Sequence, residues 1–202
     1  MKNKIKQLEF FTNYFELVKN TIEYIDIKKI IQISDFLEKA IINKKKIFVA
    51  GNGGSAAVAN HFLCDFNKGI KISSKNKMIP KVYSLSNSIE LITAISNDIN
   101  YENIFDFQLE NHAEKGDILF AMSCSGNSKN INKVISYAIK KKMKVIFFTG
   151  FSNKNFNKKI SFHYNINCKN YGITEDIFSS FMHLISQWIR FKYSNYNSKN
   201  IL

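Results

Sequence analysis

The stretch Lys46-Ile-Phe-Val-Ala50-Gly51-Asn-Gly-Gly-Ser55-Ala-Ala57 decides the fold. Five mainly apolar residues, too few for a helix of ordinary length, run straight into glycines and then into a helical pattern near 56–66. Such a run is a strand buried on both faces, and the glycines let the chain turn sharply into a helix. Ser55 is placed to cap that helix and to offer its hydroxyl, and a helix start of this kind favours an anion.

The same unit recurs along the chain. Lys81-Val-Tyr-Ser-Leu85, Asp117-Ile-Leu-Phe-Ala-Met122 and Lys144-Val-Ile-Phe-Phe-Thr149 also read as doubly buried strands, and Ser161-Phe-His-Tyr-Asn-Ile166 as a fifth at an edge. Helical patterns follow near 88–111, 128–141 and 174–193. Two more precede the first strand, one up to about Asn20 (Leu8, Phe11, Tyr14, Phe15, Val18) and one from Ile27 to Ile42. Strands alternating with helices imply a parallel sheet covered on both sides, whose ligands bind beyond the carboxyl ends of the strands.

With 202 residues, the chain suits one domain with a real core. The single proline and few glycines mark no linker. The start, Met1-Lys-Asn-Lys-Ile-Lys-Gln-Leu-Glu9, has no continuous apolar region, and nothing approaches the ~20 consecutive apolar residues of a membrane span. No signal peptide and no membrane segment are expected, and the chain reads as soluble and cytoplasmic. Cys64, Cys124 and Cys168 are scattered and odd in number, which argues against disulfides and against a cysteine zinc site. The net charge of +13 raises the question of nucleic acid, but the lysines are dispersed. The densest runs, Lys44-Lys45-Lys46 and Lys140-Lys141-Lys142, fall where helices end and suit the helix dipole. No nucleic-acid partner is expected, although the potential can steer an anionic substrate.

At the strand ends, the glycine loop lacks the Gly-Lys-Ser/Thr of a P-loop. It meets the dinucleotide fingerprint only loosely, as Gly51-x-Gly53-x-x-Ala56, and no Asp or Glu stands between Asp65 and Glu90 to take a ribose. A plain phosphate loop remains. After the third strand, Ser123-Cys-Ser-Gly-Asn-Ser128 sets three hydroxyls and a glycine before another helix start, a cradle for a phosphate monoester, or else a serine-rich capping turn. Two such loops in one parallel sheet carry more weight than either alone.

GNGGSAA followed about seventy residues later by SCSGNS resembles the sugar isomerase (SIS) domain, in the version of the bacterial phosphoheptose isomerases. The likeness spans nearly the whole chain, including GNGGSAAVANHF, Ala94-Ile-Ser-Asn-Asp98 and the last helix with His183. It implies a single SIS domain over 1–202: a three-layer α/β/α sandwich with a five-stranded parallel sheet, flavodoxin-like and preceded by N-terminal helices. Residues 1–43 would be those helices, packed at an oligomer interface, and 44–195 the α/β core with its C-terminal helix. The implied activity converts sedoheptulose 7-phosphate to D-glycero-D-manno-heptose 7-phosphate, a precursor of surface polysaccharide, through an enediol. The implied assembly is a homotetramer.

Carried over position by position, the resemblance implies that Ser123, Cys124, Ser125 and Ser128 with Ser55 hold the phosphate. Asn52 and Gly53 lie beside the substrate, and Asn97 and Asp98 border the sugar. Around a zinc or another divalent ion, one per site, it implies His61, Asp65, Glu175 and His183. His61 and Asp65 are four apart, hence on one helix face; Glu175 and His183 are eight apart, about 80° round the axis. The family has glutamate where this chain has Asp65, and glutamine where it has Glu175. Asp65 or Glu175 is then the catalytic base and His183 its acid/base partner. The family arginine shortly after this unit is absent, with Lys68 the nearest cation. The plainer alternative makes His183 a core residue and lets Glu175 and Asp176 favour a helix start capped by Thr174. Non-catalytic SIS relatives that bind a protein partner lose the final histidine, whereas His183 is present here. No helix-turn-helix is seen ahead of the sheet, which argues against a sugar-phosphate sensor of the DNA-binding type. His112 and His163 are expected to be structural, and Cys64 to face the core.

Overall fold

The computed structural model describes residues 2–151, 156 and 159–194. Two helices lead the chain, α1 (Lys2–Glu23) and α2 (Ile27–Ile42), followed by β1 (Lys46–Ala50) and α3 (Gly54–Leu63). A π-helical turn (Cys64–Ile70) continues α3 into the short α4 (Lys71–Ser73), before β2 (Lys81–Ser84). Then come α5 (Ile89–Asp98), a 3-10 turn (Tyr101–Asn103), α6 (Asp106–His112), β3 (Ile118–Ser123) and α7 (Lys129–Lys140). β4 (Lys144–Thr149), β5 (Phe162–Asn165) and the long α8 (Tyr171–Tyr193) complete it. The strands form one parallel sheet in the order β2-β1-β3-β4-β5, the flavodoxin-like order with its topological switch between β1 and β3.

Alternation along each strand divides the core into two layers. Ile47, Val49, Ile118, Phe120, Met122, Ile146 and Phe148 pack under α2, α3 and α8. Phe48, Ala50, Leu119, Ala121, Val145 and Phe147 face the opposite way, under α6 and α7. This is the expected three-layer sandwich preceded by helices, with β5 at an edge. The expected end of the α/β core at 195 lies outside the described residues.

Several boundaries are set by polar side chains. Asp117, expected to begin the third strand, instead accepts Lys46 N–H at 3.0 Å and Glu114 N–H at 2.9 Å, so its carboxylate joins the starts of β1 and β3. The single helical pattern over 88–111 is broken because Asn100 is fully extended. The last helix starts earlier than expected: Asn170 caps it by accepting Ile173 N–H at 3.1 Å. Thr174, the cap in the plainer alternative, is fully buried and donates to the Cys168 carbonyl. At the far end of α8, Lys192 and Tyr193 donate to the buried Glu38 of α2.

The π-turn after α3 also corrects the sequence reading. Its wider turn brings Phe66 and Ile70 inward, and Cys64, expected in the core, is exposed. Asn67 on this turn meets the outer edge of β2, its Nδ2 donating to Val82 O at 2.8 Å and its Oδ1 accepting Val82 N–H at 3.0 Å. The side-chain amide thus stands in for a neighbouring strand and closes that position of the edge. Because Val82 is buried, Asn67→Ala should lose about 1–3 kcal/mol by stranding two backbone groups. Urea unfolding checks this; an unchanged midpoint would show that water replaces the amide at no cost.

Candidate active site

The glycine loop after β1 is built around a carboxylate that arrives from α8. Gly53 has φ +55° and ψ −127°, a conformation glycine tolerates and L-residues avoid. At Gly54 a side chain would collide with the Glu175 carboxylate. Glu175 Oε1 accepts Ser55 N–H at 3.0 Å and lies 3.4 Å from Ser55 Oγ. The anion drawn to the positive end of α3 is therefore the protein's own. Ser55 is inside the helix and 3% exposed, so the cap expected of it is absent: Gly53 holds that position without a side-chain bond.

The serine loop after β3 faces this carboxylate. Ser123 and Ser128 share a hydrogen bond of 3.1 Å, and Ser128 makes no capping bond to α7. Ser125 Oγ accepts Asn127 N–H at 3.2 Å. Ser123, Ser125 and Ser128, with Asn52, Tyr171 and Glu175, line a hollow of about 100 Å³, with Ser55, Met122 and Cys124 completing the wall. Burial first, with Glu175 adding to it, pushes the Cys124 thiol up to about 11, so the sulfur is neutral at physiological pH. A neutral thiol adds no negative charge where a phosphate would sit.

The other polar cluster gathers His61, Asp65 and His183, whose ligand atoms all lie within 4.8 Å of one another. His183 Nδ1 is 2.7 Å from Asp65 Oδ2, and His61 Nε2 is 3.5 Å from Asp65 Oδ1. Ser186 donates to Asp65 at 3.4 Å, and Ser179 meets His183 Nε2 at 3.3 Å. Two imidazoles and one carboxylate are a zinc-type donor set. Around a tetrahedral zinc with bonds of about 2.0–2.1 Å, ligand atoms stand about 3.3 Å apart. The His61–Asp65 separation is close to that spacing, and His183 Nδ1 stands nearer, against the other carboxylate oxygen. The residues present fit a divalent ion, and both imidazoles are partly exposed.

Glu175, the fourth expected ligand, does not join this group. Eight helical residues separate Glu175 from His183, about 12 Å of rise along α8, while the triad is far tighter. One straight helix places the two side chains at different stations, the carboxylate at the hollow and the imidazole at the triad.

Asn97 and Asp98 end α5, exposed and bonded to each other at 2.9 Å; the hollow is not lined by either of them. The segment just beyond reaches the site through Tyr101, whose hydroxyl donates to Asn52 Oδ1 at 2.9 Å. Arg190, the only arginine of the sequence, comes from α8 to lie over Gly69, with Cδ 3.6 Å from where a Cβ would stand. Its Nε donates to Ser73 Oγ at 3.0 Å. His163 is tied to Thr149 at 2.9 Å, and burial holds its imidazole below the ordinary histidine range. His112 is exposed at the end of α6.

Sequence reasoning missed Tyr101, Asn130, Tyr171, Ser179 and Ser186. Ser179 and Ser186 could have been found, being four before and three after His183 on one helix face. Nothing in the local sequence marks Tyr101.

Comparison with known proteins bears on the family. The SIS domain family model matches residues 9–150. A probable phosphoheptose isomerase of Thermoplasma acidophilum is 32% identical over 169 residues, covering 84% of this chain and 91% of that protein. A phosphoheptose isomerase of Coxiella burnetii is 34% identical over 140 residues, covering 68% and 69%. Among solved structures, a phosphoheptose isomerase from Francisella tularensis superposes with a TM-score of 0.81 at 23% identity, covering 94% of this chain and 99% of that one. The phosphoheptose isomerase GmhA from Neisseria gonorrhoeae gives 0.77 at 21%, covering 92% and 97%. At these identities the two structures establish the fold, and the sequence relatives establish the lineage: the chain belongs to the SIS-domain family and, within it, to the phosphoheptose isomerases.

Proposed function

We propose that this protein isomerises sedoheptulose 7-phosphate to D-glycero-D-manno-heptose 7-phosphate, the aldose precursor of surface heptose. The observation that carries this reading is the pairing, along one helix, of a serine-lined hollow containing a carboxylate with a His-Asp-His triad able to hold a metal. The hydroxyls of Ser123, Ser125 and Ser128, with the start of α7, bind the phosphate as a remote handle that orients the sugar. Asn52 and Gly53 lie beside the sugar, and Asn97 and Asp98 border it at the outer rim. Ser55 and Cys124 close the inner wall.

Aldose–ketose isomerisation removes a proton from C1 of the ketose, passes through an enediol and returns a proton to C2. It needs a carboxylate base, a group serving the two oxygens, and stabilisation of the developing charge. Glu175 is the base in this reading because it is the carboxylate left once Asp65 is engaged by the two imidazoles. Asp65, between two imidazoles, is a metal ligand with His61 and His183. A zinc or similar divalent ion, when bound, supplies Lewis acidity toward the sugar oxygens. His183 serves as acid/base partner, oriented by Asp65 and Ser179. A binding-only role is less well supported, since it leaves the triad without work.

Homotetramer assembly is part of the proposal. Ile5, Leu8, Phe11 and Phe15 of α1 are more than half exposed, and Ile31, Leu184 and Trp188 border an apolar groove of about 290 Å³ between α2 and α8. So much apolar surface on a helical face suits burial against other copies. No helix among the described residues is long and apolar enough to cross a membrane, and a phosphorylated-sugar substrate fits a cytoplasmic enzyme.

The decisive experiment incubates the purified protein with sedoheptulose 7-phosphate, with and without zinc, and looks for the aldose phosphate. Zinc-dependent product is expected; its absence from a well-folded, zinc-loaded protein would reject the assignment. Glu175→Gln should lower kcat by at least about a hundredfold with zinc content unchanged. Asp65→Asn should instead lose zinc by elemental analysis. A fully active Glu175→Gln variant would transfer the base to Asp65. In light scattering the protein should be a tetramer, and Leu8→Glu combined with Phe15→Glu should yield smaller species with the same far-UV spectrum; a monomeric parent protein would refute the assembly.

A further inference from the structure

Across the topological switch, the loops after β1 and β3 are joined by a pair of asparagines. Asn52 Nδ2 donates to Asn130 Oδ1 at 2.9 Å, and Asn130 Nδ2 donates back to Asn52 Oδ1 at 3.0 Å. Asn130 Oδ1 also accepts Ile131 N–H at 2.9 Å. A backbone N–H can only donate, so the atom facing it must be the oxygen, and the orientation of the Asn130 amide is fixed. The Asn130 oxygen in turn fixes Asn52, which must turn its nitrogen toward it. Tyr101 completes the arrangement by donating to Asn52 Oδ1 at 2.9 Å.

The hydrogen-bond count at Asn52 is then determined. Both lone pairs of Oδ1 are engaged, by Asn130 and Tyr101, and one Nδ2 proton is given to Asn130. Among the described residues the second Nδ2 proton meets no acceptor, and it remains for a ligand, on a half-buried residue that lines the hollow. Asn130 itself is 2% exposed and cannot present its amide to a substrate of any size. We propose that Asn130 and Tyr101 are positioning residues that hold Asn52 as an obligatory donor to an acceptor oxygen of the bound phosphosugar. Such a site selects a ligand with a carbonyl or hydroxyl oxygen at that point, because a donor-only or apolar group there would leave the Nδ2 proton unpaired.

This rests on the proposed phosphosugar substrate, and the test separates the two. Binding of sedoheptulose 7-phosphate and of inorganic phosphate is measured by calorimetry for the wild type and for Asn52→Ala, Asn130→Ala and the double variant, with thermal unfolding alongside. Asn130→Ala should weaken the phosphosugar by about tenfold, leave inorganic phosphate within about twofold, and add nothing in the Asn52→Ala background. That non-additivity is what a merely structural asparagine would not give. If Asn130→Ala does not fold, the same cycle is run with Tyr101→Phe, which alters only an exposed hydroxyl and should cost about threefold through Asn52 alone. Losses that multiply, or equal losses for phosphate and phosphosugar, overturn the positioning role while leaving the isomerase assignment standing. A wild type that binds phosphate and no phosphosugar removes both.

Discussion

A parallel sheet whose central strands are buried on both faces leaves no room for chemistry inside itself. β1, β3 and β4 are lined with Ile, Leu, Val, Phe and Ala, nearly all fully buried, and a charged group placed there would face a desolvation cost it could not recover. Polar function is therefore pushed to the carboxyl ends of the strands. The order β2-β1-β3-β4-β5 opens a crevice between β1 and β3, where successive crossovers leave in opposite directions. The glycine loop and the serine loop flank that crevice, and the Asn52–Asn130 pair bonds across it.

Helix α8 does the remaining work of assembly. Packed against α2, α3 and the π-turn, it carries Tyr171 and Glu175 to the hollow, His183 and Ser186 to Asp65, and Arg190 to Gly69. The contact of Glu175 with Ser55 N–H locks the start of α8 onto the start of α3, and Glu38 with Lys192 and Tyr193 locks its end onto α2. A rod held at both ends fixes the stations between them, and the relation between hollow and triad follows from helical rise.

The π-turn is the local irregularity that this arrangement uses. It carries Asp65 toward His183 while Asn67, two residues on, closes the edge of β2. A regular helix continuing from α3 would change the phase of one residue relative to the other. Wider turns inside helices are often found at functional positions, and here one segment has both a structural and a chemical contact to satisfy.

Much of the fold was legible in the sequence. The short apolar runs at 46–50 and 144–149 coincide with β1 and β4, and the Ile27–Ile42 pattern with α2, because burial on both faces imposes a continuous apolar run and burial on one helix face imposes its own period. The two loops rich in glycine and serine could be placed at strand ends for the same reason, and the pairing of His61 with Asp65 followed from a four-residue spacing. Local pattern could not decide which distant partner each group would meet. Glu175 and His183 share a helix and a family motif, yet only the docking of α8 sends one to the start of α3 and the other to Asp65. Tyr101 and Asn130 became part of the site only through contacts 49 and 78 residues apart in sequence. Periodicity records which face of an element is buried; the identity of the neighbour across that face is set by how the layers pack.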